Sequence, residues 1–242
     1  MEQYPAIPQG FYRKLGVVLK SRRQGEQGKS LLILFKELGP VWVTAPGAAS
    51  GKSRMSGTTE PLVWGYFTLY RSTKRIYVKE IEVQEDFWSL RQEGPKLAAA
   101  IRICATIVRH ALQDHPHDDL LPLFYWSLKA LEGGSPADAV EFRFLFRWCS
   151  AQGLSPELDR CASCGNPARQ GLLTTEGLTC GNCLANVHRR GGLALGETEL
   201  NRLKKAVMLS GKEFRAELSE GGKDGLFGKA SALLLKMLEG SV

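Results

Sequence analysis

Three features of this 242-residue chain predict an α+β protein, a small β-barrel followed by an α-helical domain with an inserted four-cysteine module. The first third consists of short runs rich in β-branched and aromatic residues. From about Asp86 the apolar period becomes that of a helix, and two Cys-x2-Cys pairs interrupt the helical part.

The first two strands are read as Lys14-Leu-Gly-Val-Val-Leu-Lys-Ser-Arg22 and Ser30-Leu-Leu-Ile-Leu-Phe-Lys36, joined as a hairpin through the Gly25-Glu-Gln-Gly28 turn. Leu38-Gly-Pro40 separates a third run, Val41–Ala45, and a loop rich in Gly, Ser and Ala precedes Pro61–Tyr70 and Ile76–Val83. Five strands in about eighty residues fit a small barrel of the OB type, with Arg71-Ser-Thr-Lys-Arg75 as the basic tip between the fourth and fifth strands. The barrel is assigned to residues 1–84 and the helical domain to 85–242, with the cysteine module at about 158–190.

In the helical part, Leu97, Ile101, Cys104, Ile107, Val108 and Ala111 line one face of an amphipathic helix. A second helix, Asp119–Leu131, presents Leu120, Leu121, Phe124, Leu128 and Leu131. Pro136 opens a third, in which Val140, Phe144, Leu145 and Trp148 share a side, and Gly153 stops it. Glu197–Met208 and Leu226–Leu238 read as two further helices that pack back on this body.

Cys161-Ala-Ser-Cys164 and Cys180-Gly-Asn-Cys183 lie fifteen residues apart, a spacing that lets four thiolates converge on one tetrahedral Zn²⁺. Small residues at Ser163, Gly165, Gly181 and Asn182 allow each pair to turn tightly. Four thiolates leave no open coordination position, so the expected metal is structural and not hydrolytic. Redox dithiols, two disulfides and an iron–sulfur site are the alternatives. Neither pair reads as opening a helix in a βαβ unit, and nothing argues for an oxidising compartment. His188 could replace a ligand but reads as a surface histidine, while Cys104 and Cys149 read as small buried hydrophobes.

Composition, 43% hydrophobic and 24% charged, is that of a globular chain and excludes disorder. The most apolar region, Leu97–Leu112, is broken by Arg102 and Arg109, and Met1-Glu-Gln-Tyr-Pro has no basic segment leading into an apolar one. The expected location is intracellular, reducing and cytoplasmic. The net charge of +7 is unevenly placed: residues 1–79 hold 13 Lys and Arg against 4 Asp and Glu, whereas the remainder holds 19 against 21. A positive field concentrated on one domain attracts polyanions, of which nucleic acid is the commonest intracellular example. Lys14, Lys20, Arg22, Arg23, Lys29, Lys52, Arg54, Arg71, Lys74, Arg75 and Lys79 are the candidate phosphate contacts, interleaved with Phe35, Trp42, Trp64, Tyr66, Tyr70 and Tyr77. Most of these rings are expected to fill the barrel. Binding through phosphates is expected to be sequence-tolerant and salt-dependent.

Two motifs mislead. Gly47-Ala-Ala-Ser-Gly51-Lys52-Ser53 has three residues between its glycines where a phosphate-binding P-loop needs four, and Arg54-Met-Ser-Gly-Thr-Thr is poor in helix formers. His110, His115 and His117, with Asp114, Asp118 and Asp119, resemble a second metal site, but helix capping and loop solvation explain them. No nucleophilic triad or isolated carboxylate pair can be picked out, so no catalytic activity is expected.

The combination of Gly16-Val-Val-Leu-Lys-Ser-Arg22, a glycine turn into Lys29-Ser-Leu-Leu-Ile-Leu-Phe35, the basic Gly47…Lys52-Ser-Arg54 loop and Gly153-Leu-Ser-Pro-Glu-Leu-Asp-Arg-Cys161-Ala-Ser-Cys164 resembles the bacterial RecO family of recombination mediators, nearly end to end. The resemblance implies an N-terminal OB fold, a helical domain and an inserted zinc module. It also implies a non-catalytic role, nucleoid-associated, in DNA repair and recombination. RecO-like proteins bind single- and double-stranded DNA, anneal complementary strands, engage the acidic tail of single-stranded DNA-binding protein (SSB), and with RecR help load RecA in gap repair. Phe142, Arg143, Phe146 and Arg147 on the third helix are the candidate groove for that tail, although core packing explains the phenylalanines equally. The chain departs from the family pattern at Tyr4-Pro-Ala-Ile-Pro8 and in a short helical core. The rival readings are an RNA-binding or transcription-associated barrel with a zinc ribbon, an enzyme using the cysteine cluster, and an adaptor for acidic protein tails.

Overall fold

The computed structural model describes residues 8–51, 55–113, 115–117, 119–184, 191–211, 213–214 and 224–240. Two compact units are present, one of residues 1–97 and 101–125, the other of residues 98–100 and 126–242.

In the first unit, β1 (Gly10–Gln24), β2 (Gly28–Phe35), β3 (Gly39–Ala45), β4 (Trp64–Arg71) and β5 (Ile76–Glu85) form a closed barrel in the order β1-β2-β3-β5-β4. All neighbours pair antiparallel except β3 and β5, which meet in parallel at Thr44 and Tyr77. This is the five-stranded, OB-like arrangement that the sequence predicts. The strands differ from the expected ones chiefly at β1, which begins at Gly10 because residues 10–13 pair with Arg71–Thr68 of β4. That partner lies far away in sequence, so local patterning gives no sign of it.

Alternation places Phe67 and Leu69 of β4 inside the barrel with Val18, Ile33, Phe35, Val43 and Val78, whereas Tyr66, Thr68 and Tyr70 point outward. Phe35 and Phe67 meet edge to face at 5.8 Å, and burying each such ring contributes about 1.5–3 kcal/mol. Leu31 through Phe35 are all fully buried, so β2 is covered on both faces, which explains its unbroken apolar run. Gly65 sits where the β4–β5 register shifts, and a Cβ there would lie 2.2 Å from the Glu82 carbonyl oxygen. Gly39 opens β3 with φ +69°, and its Cβ would lie 1.9 Å from the His115 carbonyl.

Helices α1 (Gly94–His110) and α2 (Leu120–Glu132) follow. The Tyr125 ring lies 4.8 Å from that of Trp64, tilted by 48°, and its hydroxyl donates a 2.6 Å hydrogen bond to Glu85. In the second unit, α3 (Ala137–Ala151) packs on α5 (Glu197–Met208) and α6 (Leu226–Glu239), as the expected return of the last helices requires. The Phe142 and Phe227 rings lie 5.7 Å apart. Between α3 and α5, β6 (Gly171–Thr174), β7 (Gly177–Thr179) and β8 (Leu193–Leu195) form a small sheet beside the one-turn helix α4 (Gly181–Leu184). Among the described residues no helix is long and apolar enough to cross a membrane.

Candidate metal centre and nucleic-acid interface

The two Cys-x2-Cys pairs fold into facing turns. Cys161 accepts at its carbonyl from Gly165 N–H at 2.8 Å, and Ala162 N–H donates to Leu178 O at 2.7 Å, tying the first turn to β7. In the second turn Cys183 N–H donates to Cys180 O at 3.0 Å. This pair opens α4, a helix of one turn, where the sequence reads neither pair as opening a helix in a βαβ unit. One helical turn is what the Gly181-Asn182 spacer accommodates, and among the described residues the flanking strands β7 and β8 each pair antiparallel with β6 and not with each other.

The four Sγ atoms lie within 4.8 Å of one another, with Cys164 and Cys180 at 3.9 Å. Four bonds of about 2.3 Å in a tetrahedron require sulfur–sulfur edges of about 3.8 Å, so the cluster fits a tetrathiolate metal site. Among the described residues it is the only cluster of three or more His, Cys, Asp or Glu that could hold an ion. His188, Asp114 and Asp118 lie outside the described residues.

Hydrogen bonding from the Cys180 backbone N–H, 3.4 Å from Sγ, leads the effects that lower the Cys161 thiol to about 6. The Cys164 thiol, then that of Cys180, pushes Cys183 up to about 12. Without a cation the cluster therefore favours one thiolate and resists the last deprotonation. Metal binding must expel protons, and affinity falls as pH falls. Burial pushes Cys104 up to about 12 and Cys149 to about 11, so neither is a nucleophile at neutral pH.

The candidate phosphate contacts divide by environment. Lys14 pairs with Glu37, whose carboxyl is lowered chiefly by that hydrogen bond. Lys29 is only 12% exposed and donates to Glu60 at 2.8 Å, Thr59 at 2.9 Å and the Ser56 carbonyl at 3.2 Å, holding the 55–60 turn onto β2. Lys20, Arg23, Lys74, Arg75 and Lys79 are exposed; Arg22 stacks on Trp42 at 4.2 Å, and Arg71 is half-buried. Lys52 and Arg54 lie outside the described residues. Of the six rings read with these cations, Phe35 and Trp64 are buried, while Trp42, Tyr66, Tyr70 and Tyr77 are half-buried. The sequence reading missed Phe11, whose ring is 68% exposed and 4.9 Å from Tyr70. Its only signal was its place in a strand that begins earlier than expected.

On α3, Phe142 is in the core and Phe146 is half-buried. Arg143 donates to the carbonyls of Ala206 at 2.6 Å and Leu209 at 2.7 Å, satisfying the open C-terminal end of α5. Burial first, and then Arg147, lowers Arg143 to about 10, which leaves it charged at neutral pH. Arg147 is exposed and donates to the Val207 carbonyl at 3.2 Å. Beside it, Phe146, Pro156, Leu158, Val207 and Met208 line a cleft of about 300 Å³, with Lys204 and Asp159 paired at 2.6 Å on its wall.

An OB-like barrel, a helical unit and a four-cysteine cluster that could hold a metal ion together define an α+β protein. The family model described as Recombination protein O N terminal matches residues 11–87, and Recombination protein O C terminal matches residues 91–220, so the chain belongs to the RecO family. It is 33% identical over 193 residues to the DNA repair protein RecO of Anaeromyxobacter sp. (strain K), covering 75% of this chain and 74% of that one. The DNA repair protein RecO of Bacillus pumilus (strain SAFR-032) is 29% identical over 172 residues, covering 70% and 67%. That of Listeria monocytogenes serotype 4b (strain F2365) is 27% identical over 190 residues, covering 78% and 74%.

Proposed function

We propose that this protein is a DNA repair and recombination mediator, not an enzyme, that binds single- and double-stranded DNA and anneals complementary strands. With RecR and SSB it would help load RecA. The observation that carries this reading is the excess of cations on residues 1–79 in a chain of the RecO family, with Lys20, Arg23, Lys74, Arg75 and Lys79 exposed to solvent. A cationic surface that holds two polyanions lowers their repulsion, and base pairing then drives the annealing. Residues 1–84 form the nucleic-acid-binding domain on this reading, and 85–242 the helical domain. Arg22, Arg71, Lys52 and Arg54 extend the phosphate-binding surface, and Lys14 and Lys29 contribute less because carboxylates already hold them. The four-cysteine cluster takes Zn²⁺ on this reading, in keeping with four sulfur donors within 4.8 Å of one another. The protein works in the cytoplasm at the nucleoid. The activity that separates a mediator from a general nucleic-acid binder is annealing of strands already coated with SSB.

The SSB tail, acidic and ending in an aromatic residue, suits the cleft beside α3. Its ring would enter between Phe146, Pro156 and Met208, and its carboxylates would meet Arg147 and Lys204. Arg143 and Phe142 would act from beneath, the first by holding the end of α5 and the second from the core. Phe146→Ala with Arg147→Glu is expected to weaken binding of a labelled SSB-tail peptide at least tenfold, measured by fluorescence anisotropy. It should leave DNA affinity unchanged. Retained peptide affinity would remove this cleft from the account.

A further inference from the structure

We propose, on the basis of the nucleic-acid reading, that the outer face of β1, β4 and β5 is a base-stacking platform for a single strand. Phe11, Tyr70 and Tyr77 would take bases, while Lys74, Arg75 and Lys79 would take phosphates.

The register puts the three rings in one row. Phe11 pairs with Tyr70, and Tyr70 pairs with Tyr77, so one aromatic stands on each of three adjacent strands. Because successive side chains alternate, their neighbours Leu69, Ile76 and Val78 turn into the barrel and leave the rings on its outer surface. Phe11 and Tyr70 lie 4.9 Å apart with a 48° tilt. Scattered exposed apolar residues are ordinary, but an exposed Phe11 and half-buried Tyr70 and Tyr77 in register on three adjacent strands form a surface that a flat π-face covers well.

The charges give this surface a direction. The row stands at the turn end of the β4–β5 hairpin, since Arg71 pairs with Ile76 and the turn carries Lys74 and Arg75, both exposed. The Lys79 ammonium lies 5.5 Å from the Tyr70 ring centre and 5.9 Å from that of Tyr77, which holds a cation beside the row. Further along the strands, Arg13 sits 3.9 Å over Tyr66 and is paired with Glu82, so that part of the face offers little net positive charge. The strand therefore runs across the hairpin end. An acidic peptide would use the cations but not three adjacent rings, and duplex bases hide their faces in the stack. A single strand uses both features.

The test compares two ligands of the full chain at one salt concentration, by anisotropy. One is an oligothymidylate of about 20 nucleotides, longer than one OB-fold site. The other is an abasic phosphodiester of equal length. The wild-type protein is expected to prefer the thymidylate at least tenfold. Phe11→Leu with Tyr77→Leu keeps apolar bulk without rings and should bring that ratio near one while leaving abasic binding unchanged. Phe11→Tyr should retain the preference. Thermal melts check folding, and the exposure of Phe11 makes its single substitution to Leu a mild second variant. A ratio unchanged in the Leu variants would overturn the platform while leaving nucleic-acid binding intact. Failure of the wild-type protein to bind either strand would overturn the underlying reading, and the platform with it.

Discussion

Cys180→Ser with Cys183→Ser is expected to abolish stoichiometric zinc binding and to unfold the module around residues 158–195. Structural zinc contributes on the order of 10–16 kcal/mol of apparent binding free energy in small tetrathiolate and mixed sites, more than most domains hold in reserve. Among its described residues the module has little else: β6, β7 and β8 are three or four residues long, and Leu158, Leu173, Leu178 and Leu195 are its main buried apolar side chains. The expected readouts are loss of zinc by mass spectrometry of the native protein and a lower unfolding temperature, with near-normal DNA affinity per folded molecule. The same result should follow from acidification, because protons compete for all four sulfurs. The sign follows from the Cys183 thiol, held at about 12 in the metal-free cluster, which only a bound cation deprotonates at neutral pH. A protein that keeps its melting temperature and fold after losing zinc would show that the metal is not structural.

Lys74→Glu with Arg75→Glu should produce the largest change in DNA binding. For single strands, log K falls with log[salt] by about 0.7 for each phosphate neutralised. Removing two contacts should therefore lower the slope by about 1.4 and reduce affinity roughly tenfold to a hundredfold. Both residues are exposed in the β4–β5 turn, so the substitutions should leave the barrel intact. Lys29→Glu should behave differently, because the ammonium it removes bonds Glu60, Thr59 and the Ser56 carbonyl, and its first effect is on stability. Titration of labelled single strands between about 50 and 200 mM salt measures the slope. A slope near zero in the wild-type protein, or an unchanged one in the double variant, would remove the cationic barrel from the account. Tighter binding to RNA than to DNA of the same sequence would favour the RNA-binding alternative.

What could be read in the sequence depended on how local each signal was. The cysteine cluster was fully legible because its spacing and turn residues sit within 23 consecutive positions, Cys161 to Cys183. The barrel strands were legible from alternation and turn residues, but the start of β1 was not, since Gly10–Arg13 become a strand only by pairing with β4. That is why Phe11 was overlooked. Lys29 was indistinguishable from its exposed neighbours because the carboxylate that holds it, Glu60, is 31 residues away. In the Phe142–Arg147 run, helical periodicity mixes two roles. Phe142 and Arg143 serve the packing of α3 against α5 and α6, while Phe146 lines a cleft whose other wall comes from residues 155–159 and α5, and Arg147 bonds the Val207 carbonyl. One-dimensional pattern cannot separate them, since residues one position apart face about 100° away from each other on a helix.

The most direct test of the mediator reading is the annealing of two complementary oligonucleotides already coated with SSB, followed by fluorescence with and without the protein at several salt concentrations. The account predicts acceleration that fades as salt rises and is weakened by Lys74→Glu with Arg75→Glu. Tight binding to naked strands without any acceleration on SSB-coated ones would contradict it, and would leave the protein a general nucleic-acid binder.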